Sequence, residues 1–451
     1  MRQLRRVIIS TDTGVSLTLV ARAMAEINKS VDAISRGIQF LRVVLTVVAL
    51  VGAAHSFQAQ SSVGPKPTGS YSVGRSFFQC VDSNRVDPVA AKDGVKREFM
   101  VMAWYPAKPN SSQARAPWMP ESWASDEAAL LYEQRRYSPN PLTMEQAQHA
   151  IRDPVSNSID GAPISSRKRP WPLLLFLPGA GVNPAFYSTF TEDLASHGYV
   201  VFAVVPTGWV ATVFPDGHRV PTSNKRSDDL DWITGTALPL WAEDLHFMID
   251  QAEHLDRLSN NIFFRKLDLS KVGVLGHSFG GAASILAGLR DSRIDAVLNL
   301  DGSPFGVLDK SLLPKPLMVI KHNISPKFAR LPPDESGKVI QARVEEELSS
   351  VYLKGRPGYR VEIAEAKHMT FCDMAVLRIW AEAGGRFGTD DAQDGEKTVA
   401  VIRSYVYGFF EKFLLGRTSP LLDRPTGKYG ISVLSSTASV TLKSPHPNSS
   451  R

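Results

Sequence analysis

Cysteine is scarce in this sequence, with two in 451 residues. A small scaffold held together by disulfides needs several pairs, so that class of secreted protein is excluded. The sequence also lacks the metal-binding patterns H-E-x-x-H and C-x-x-C, a Walker loop, and a G-x-G-x-x-G segment after a strand. We therefore expect neither a metal ion nor a nucleotide cofactor. Disorder is excluded too, because 43% of the residues are hydrophobic and only 21% are charged.

The positive charge is unevenly distributed along the chain. The sequence has 51 Lys and Arg against 45 Asp and Glu, which gives a net charge of +6. Residues 1–60 hold seven basic and three acidic side chains, so four of the six net charges lie in that segment. The rest of the chain is close to neutral, and we therefore expect no nucleic acid as a partner.

An apolar run of 12 residues, Val43–Ala54, lies in the same segment. It is shorter than the roughly 20 residues of a membrane-spanning helix and fits the core of a signal peptide, which has about 7–15 residues. We predict that residues 1–60 direct export and are then removed or kept as an anchor. Met24 is an alternative start, and a buried amphipathic helix is the structural alternative. In an exported protein Cys80 and Cys372 could pair, but each could equally be a small buried side chain.

Strand and helix signals alternate along the body of the chain. Short apolar runs such as LLLFL at Leu173–Leu177 are typical of strands that are buried on both faces of a parallel sheet. The predicted strands are Glu98–Tyr105, Leu173–Leu177, Tyr199–Val205, Val272–Leu275, Ala296–Leu300, Leu317–Ile320 and Tyr359–Ile363. The predicted helices are Pro184–His197, Trp241–Leu258, Gly281–Leu289, Val339–Val351 and Thr398–Leu415. This order predicts an α/β fold with a doubly wound, mostly parallel sheet.

We predict that residues 61–435 form one such domain. Residues 106–170 have few strand signals and one short helical stretch, so they are predicted to be an irregular insertion, either a lid or a peripheral addition. The chain after Gly416 is polar, and residues 436–451 are predicted to be a loose tail.

The segment GHSFG at residues 276–280 matches the nucleophile-elbow pattern G-x-S-x-G. An apolar strand precedes it and a helix of small residues follows it, which is the context that the pattern requires. In such a turn the Ser278 hydroxyl projects over the carboxyl edge of the sheet, at the N-terminus of a helix. We therefore predict that Ser278 is a nucleophile.

A serine hydroxyl needs a base to react, and in this fold the chain order is serine, acid, histidine. His322, His368 and His446 follow the serine. His368 comes after the last predicted strand and is the predicted base, with His322 as the alternative. Asp301 directly follows the strand after the elbow helix and is the predicted acid; a turn cap is its structural alternative.

Two backbone N–H groups are needed to hold an oxyanion. The residue after the nucleophile, Phe279, supplies one. The glycine-flanked Ala180, in the loop after Leu173–Leu177, is the predicted second donor. His277 precedes the acid in the chain, and we predict that it packs rather than reacts.

With these residues in place, the sequence resembles the platelet-activating factor acetylhydrolase family of α/β-hydrolases. The likeness extends loosely over residues 67–435 and is specific in four segments. They are DLASHGYVVFAV at 193–204, GHSFGGA at 276–282, LDGSPFG at 300–306 and the histidine loop H-x-x-F-x-D at 368–373. The sequence departs from the family at Pro178, where the oxyanion loop often has His before Gly, and at Val205–Thr207.

The resemblance implies a calcium-independent serine esterase with Ser278, Asp301 and His368 as the triad. It implies short-chain acyl esters as substrates, including acetylated phospholipids, and transient contact with a membrane or lipoprotein surface. Trp118, Met119 and Trp123 would then touch lipid at an entrance, or would simply pack the insertion. A polyester- or dienelactone-type hydrolase acting on non-lipid esters is the alternative function, and a non-enzymatic interaction protein is the third.

Overall fold

A computed structural model describes residues 63–138, 140–226, 229–305, 312–322, 354–377, 392–423 and 431–435. The strands are β1 Ser72–Val86, β2 Lys96–Ala107, β3 Ser158–Asp160, β4 Trp171–Leu177, β5 Val200–Val205, β6 Thr212–Val213, β7 Arg219–Val220, β8 Leu267–His277, β9 Ile294–Leu300, β10 Leu317–His322, β11 Gly358–Ile363 and β12 Ile431–Ser435. The helices are α1 Glu121–Arg135, α2 Met144–Arg152, α3 Ser188–Ser196, α4 Leu238–Arg257, α5 Phe279–Arg290, α6 Ala392–Leu415 and α7 Pro420–Asp423. The predicted leader 1–60, the predicted helix Val339–Val351 and the tail 436–451 lie outside the described residues.

Ten of these strands form one sheet, in the order β12-β11-β10-β9-β8-β4-β5-β2-β1-β3. The six strands from β11 to β5 are parallel to their neighbours, whereas β12 at one side and β2 at the other pair antiparallel. Helices α3 and α6 pack on one face, and α4 and α5 pack on the other. The predicted doubly wound α/β fold is therefore confirmed.

The centre of the sheet follows directly from the sequence. All seven residues of β4, WPLLLFL, are buried because helices cover both faces of this strand. Small residues follow at the start of α5, FGGAAS, and they let this helix lie close against β9. Because β4, β8, β9 and β10 run parallel, their carboxyl ends lie at the same edge of the sheet.

Residues 106–170 are more regular than we predicted. They contain α1, α2 and β3, and the helix predicted to be short extends over 15 residues. Trp118, Met119 and Trp123 are almost fully buried, so they pack the segment and do not form a lipid-facing entrance. These apolar side chains are buried against the core of the domain, which explains why the segment holds more regular structure than we predicted.

Five strands were not predicted from the sequence: the short β3, β6 and β7, and the longer β1 and β12. β1 is a half-exposed strand with many polar residues, and its pairing with β2 over most of its length compensates for its weak apolar pattern. β12 lies in the polar chain after Gly416, which is therefore not uniformly loose, and it is held by its pairing with β11. Both cases depend on the neighbouring strand rather than on local propensity.

Cys80 and Cys372 are both free and buried, so the disulfide alternative is wrong. The Cys80 thiol donates to the Met248 sulfur at 3.7 Å, and the Cys372 thiol donates to the carbonyl of Met369 at 3.2 Å. Burial raises the pKa of both thiols. Across the described ranges, no helix combines the length and the apolar character needed to cross a bilayer.

Candidate active site

Ser278 stands at the sharp turn between β8 and α5, with a backbone φ of 54°. Few residues other than glycine adopt this conformation, and the tight packing around it explains why it persists. A Cβ added to Gly280 would lie 2.4 Å from the carbonyls of Leu177 and Pro178, and one added to Gly276 would lie 2.3 Å from the carbonyl of Gly280. Only glycine fits at either position, which is the physical reason for the G-x-S-x-G pattern.

The three predicted polar residues form one hydrogen-bonded chain. The Oγ of Ser278 lies 3.0 Å from Nε2 of His368, and Nδ1 of His368 lies 2.7 Å from Oδ2 of Asp301. Asp301 is buried, whereas 45% of the His368 side chain is exposed. The structure thus brings all three residues together with the distances that proton transfer from the serine requires.

Backbone hydrogen bonds link the turns that carry these side chains. The N–H of Ser278 donates to the carbonyl of Leu300 at 2.8 Å, and the N–H of Asp301 donates to that of Ile320 at 2.8 Å. The buried Asn299 amide bonds both to the N–H and to the carbonyl of Gly302. Asp301 is therefore held in place even though its φ is 56°.

Asp301 accepts hydrogen bonds from a second histidine, His322. Nδ1 of His322 lies 2.7 Å from both carboxylate oxygens, and its backbone N–H donates to Oδ1 at 3.1 Å. Burial alone would raise the pKa of Asp301, but the hydrogen bonds from His322 and His368 outweigh it and hold this pKa well below its usual range. His322, the alternative base, does not contact Ser278 in the described structure.

Asp301, His322 and His368 bring three ligating atoms within 4.8 Å of one another. A carboxylate only accepts hydrogen bonds, so each Nδ1 that bonds to it donates a hydrogen, and the three residues form a hydrogen-bonded cluster. That no metal or cofactor is needed stays a prediction.

His277 does more than fill space, which the sequence analysis did not anticipate. The buried Tyr187 hydroxyl accepts from the N–H of Gly179 at 2.8 Å and lies 2.8 Å from Nδ1 of His277. Nε2 of His277 lies 2.9 Å from the carbonyl of His368 and must donate to it, so Tyr187 donates to Nδ1. Burial lowers the pKa of His277, and the nearby His368 lowers it further, to about 3. The ring is therefore neutral at pH 7.

This buried chain joins the loop that carries Ala180 to the loop that carries His368. The position of His277 directly beside Ser278 is the one sequence feature that could have pointed to this chain. Its partners, however, are 90 and 91 residues away along the chain.

Asp373 holds the His368 loop from the other side. Its buried carboxylate accepts from the hydroxyls of Ser188 and Thr189, each at 2.5 Å, from the N–H of Thr189 at 3.1 Å, and from Nε1 of Trp118 at 3.3 Å. Burial raises the pKa of this carboxyl. The aspartate of the H-x-x-F-x-D segment therefore anchors the histidine loop to α3 and to the segment before α1.

Ala180 and Phe279, the two predicted oxyanion donors, line one cavity of about 400 Å³. Phe279 is the first residue of α5, where the N–H has no carbonyl partner within the helix. A Cβ added to Gly179, next to Ala180, would lie 3.5 Å from the Cβ of Ser278. The remaining lining residues are Trp209, Ser223, Asn224, Arg226, Trp232, Ile233 and Ala237.

A serine on a strand-turn-helix elbow, bonded to a histidine and an aspartate at the carboxyl edge of a mostly parallel sheet, defines an α/β-hydrolase. The family described as platelet-activating factor acetylhydrolase, isoform II, matches residues 56–210 and 249–343, more than half of the chain. The chain belongs to the platelet-activating factor acetylhydrolase family.

Named relatives agree with this assignment. A protein of Arthroderma benhamiae, "Probable 1-alkyl-2-acetylglycerophosphocholine esterase", is 25% identical over 280 residues, which cover 57% of this chain and 64% of that protein. The platelet-activating factor acetylhydrolase of Canis lupus familiaris is 24% identical over 335 residues, which cover 66% of this chain and 69% of that protein. The chain thus spans slightly less than two thirds of the fungal relative.

A solved structure, the ferulic acid esterase from Streptomyces cinnamoneus, superposes with a TM-score of 0.62 at 28% identity. The match covers 83% of this chain and all of that protein. These names support the class of enzyme predicted from the sequence, an esterase.

Proposed function

We propose that this protein is a serine esterase that removes short acyl groups, including a short sn-2 acyl group of a phospholipid. The observation that carries the proposal is the unbroken hydrogen-bonded chain from Ser278 through His368 to Asp301. The family membership and the names of the relatives support the same chemistry.

In the proposed mechanism, Nε2 of His368 takes the proton of Ser278 as Oγ attacks the ester carbonyl. Asp301 keeps the hydrogen on Nδ1 of His368, which leaves Nε2 free to accept, and it stabilises the imidazolium that forms. The N–H groups of Ala180 and Phe279 hold the oxyanion of the tetrahedral intermediate. His368 then protonates the leaving alcohol, and water hydrolyses the acyl-enzyme by the same steps in reverse order.

The preference for short acyl groups rests on the cavity beside Ala180 and Phe279. Its volume of about 400 Å³ lies at the small end of the range of ligand pockets, roughly 300–1,000 Å³. Trp209 and Trp232 make part of its wall apolar, while Arg226 supplies a positive charge that suits a phosphate-bearing leaving group.

The same walls favour a second candidate, a non-lipid ester such as an aryl or polymer ester. The rings of Trp209 and Trp232, 6.2 Å apart between centroids, give the cavity aromatic walls, and the similar solved structure is named as a ferulic acid esterase. We further propose that residues 1–60 direct export, on the strength of the run Val43–Ala54, and that the enzyme meets its substrate at a lipid or lipoprotein surface. A role in lipid catabolism follows if the phospholipid is the substrate.

Two measurements test the proposal. The first compares p-nitrophenyl acetate turnover and fluorophosphonate labelling in Ser278→Ala, His368→Ala and Asp301→Asn with Ser270→Ala, an exposed serine near the other end of β8. We expect loss of labelling in Ser278→Ala, loss of turnover in all three variants, and wild-type behaviour in the control. Wild-type turnover in any of the three would remove that residue from the assignment.

The second measurement is a rate profile over esters of increasing acyl length, run beside an acetylated phospholipid and an alkyl ferulate. Fast turnover of the short esters and the phospholipid supports the first candidate. A clear preference for the ferulate supports the second, and a preference for long acyl chains refutes the acetylhydrolase assignment.

A further inference from the structure

The carboxylate of Asp301 is shared between two imidazoles. Nδ1 of His368 and Nδ1 of His322 each lie 2.7 Å from Oδ2, and the backbone N–H of His322 occupies Oδ1 as well. His368 comes from the loop after β11, whereas His322 ends β10, so the two rings approach the carboxylate from different elements. Orienting His368 requires only one of these contacts.

The hydrogen-bonding pattern fixes what His322 does in its neutral form. A buried carboxylate accepts hydrogen bonds, so His322 holds its hydrogen on Nδ1 and donates it to Asp301. This second donor restrains the carboxylate and withdraws part of its negative charge from His368.

We propose that His322 is a positioning residue that fixes Asp301, and through it the ring of His368, by donating a hydrogen bond from Nδ1. The inference rests on the proposed serine esterase function and adds a second histidine to the support of its acid.

Few other ionisable groups face His322 within the described residues. Asp301 and His368 contact it, and His277 lies beyond them with its pKa lowered by burial, so it stays neutral. On β11 the residue in register with His322 is the apolar Ile363. Lys321 and Glu362, one position earlier on the two strands, point to the opposite face of the sheet.

The test compares His322→Asn with His322→Phe. The Nδ2 of asparagine occupies the position of Nδ1 in the histidine side chain, so the first variant keeps a donor for Asp301. The second variant removes the donor. We would measure kcat and KM for p-nitrophenyl acetate at neutral pH, and record the low-field imidazole N–H resonances by proton NMR.

We expect His322→Phe to show a lower kcat with little change in KM, because Asp301 is less well held, and we expect His322→Asn to stay close to the wild type. The wild type should show two low-field Nδ1–H resonances, and both variants one. A purely structural role would instead impair His322→Asn as much as His322→Phe.

The outcomes separate the two proposals. If the wild type reacts with a fluorophosphonate and hydrolyses the ester, but His322→Phe has the same kcat as the wild type, the role of His322 is overturned and the esterase stands. If the wild type neither reacts nor hydrolyses any ester offered, the proposed function fails, and the role of His322 fails with it.

Discussion

Replacing Tyr187 by phenylalanine removes a single oxygen atom from the buried chain that joins the Ala180 loop to the His368 loop. The ring of Tyr187 is fully buried, and the phenylalanine ring fits the same space. The N–H of Gly179 and Nδ1 of His277 then each lose their partner. Both groups lie inside the protein, and no other side chain among the described residues bonds to either.

Each buried polar group left without a hydrogen bond costs about 1–3 kcal/mol, so we expect the free energy of unfolding to fall by about 2–5 kcal/mol. The effect on catalysis follows from geometry. Gly179 precedes a proposed oxyanion donor, and a displacement of about 1 Å at such a position costs on the order of 100-fold in rate. We therefore expect kcat to fall by about 10- to 100-fold, with a much smaller change in KM.

Tyr105→Phe is the matched control. Tyr105 is also fully buried, and its hydroxyl donates to the carbonyl of Ala162 at 2.9 Å, far along the chain from the site residues. Urea unfolding and p-nitrophenyl acetate kinetics should show a moderate loss of stability and unchanged kcat in this variant. If Tyr187→Phe and Tyr105→Phe behave alike in both assays, the buried chain does not position the site.

Three further predictions concern charge, the oxyanion loop and the histidine loop. Burial raises the pKa of Glu127 from 4.5 to about 8, so the folded state keeps a proton that the unfolded chain releases, and stability falls as the pH rises through this window. In urea unfolding, the free energy of unfolding of Glu127→Gln should match that of the wild type near pH 4.5 and exceed it by about 3–5 kcal/mol at pH 9. Equal stability at pH 9 would contradict the cost of burying the Glu127 charge. Ala180→Pro, which removes the N–H, should lower kcat on the order of 100- to 1,000-fold, whereas Ala180→Ser should change it little, and comparable kinetics in the two would exclude this N–H as a donor. Asp373→Asn replaces one accepting oxygen by an NH2 donor that faces the donors of Ser188 and Thr189, so denaturant melts should show a loss of about 2–4 kcal/mol and kcat should fall as His368 is displaced. A variant with wild-type stability and kcat would show that the anchor is dispensable.

The features that sequence could predict are those encoded locally. The elbow needs glycines on both sides of Ser278, because any Cβ there meets backbone atoms, and this requirement leaves a pattern within five residues. Asp301 and His368 were predictable because each follows a strand that leads to the edge where Ser278 lies. The order of the strands in the sheet brings them together without any further signal.

The remaining parts of the site depend on contacts between distant segments. His322 bonds to Asp301 only because β10 lies beside β9, and no sequence pattern near residue 322 indicates this contact. The sequence could not decide whether Trp118 faces lipid or packs inside the protein. The deciding facts are its hydrogen bonds to Ala185 and Asp373, 67 and 255 residues away. Such partners become visible only when the chain is folded.

β12 has a consequence for the way the protein is made. It pairs with β11, the strand that leads into the His368 loop, and it is the last strand to be synthesised among the described residues. Until it emerges from the ribosome, β11 presents a free edge of backbone N–H and carbonyl groups. A nascent chain interrupted after Gly416 would therefore leave β11 able to pair with strands of other chains, and would leave the histidine loop unsupported. We expect such truncated products to accumulate as aggregates rather than as soluble inactive enzyme.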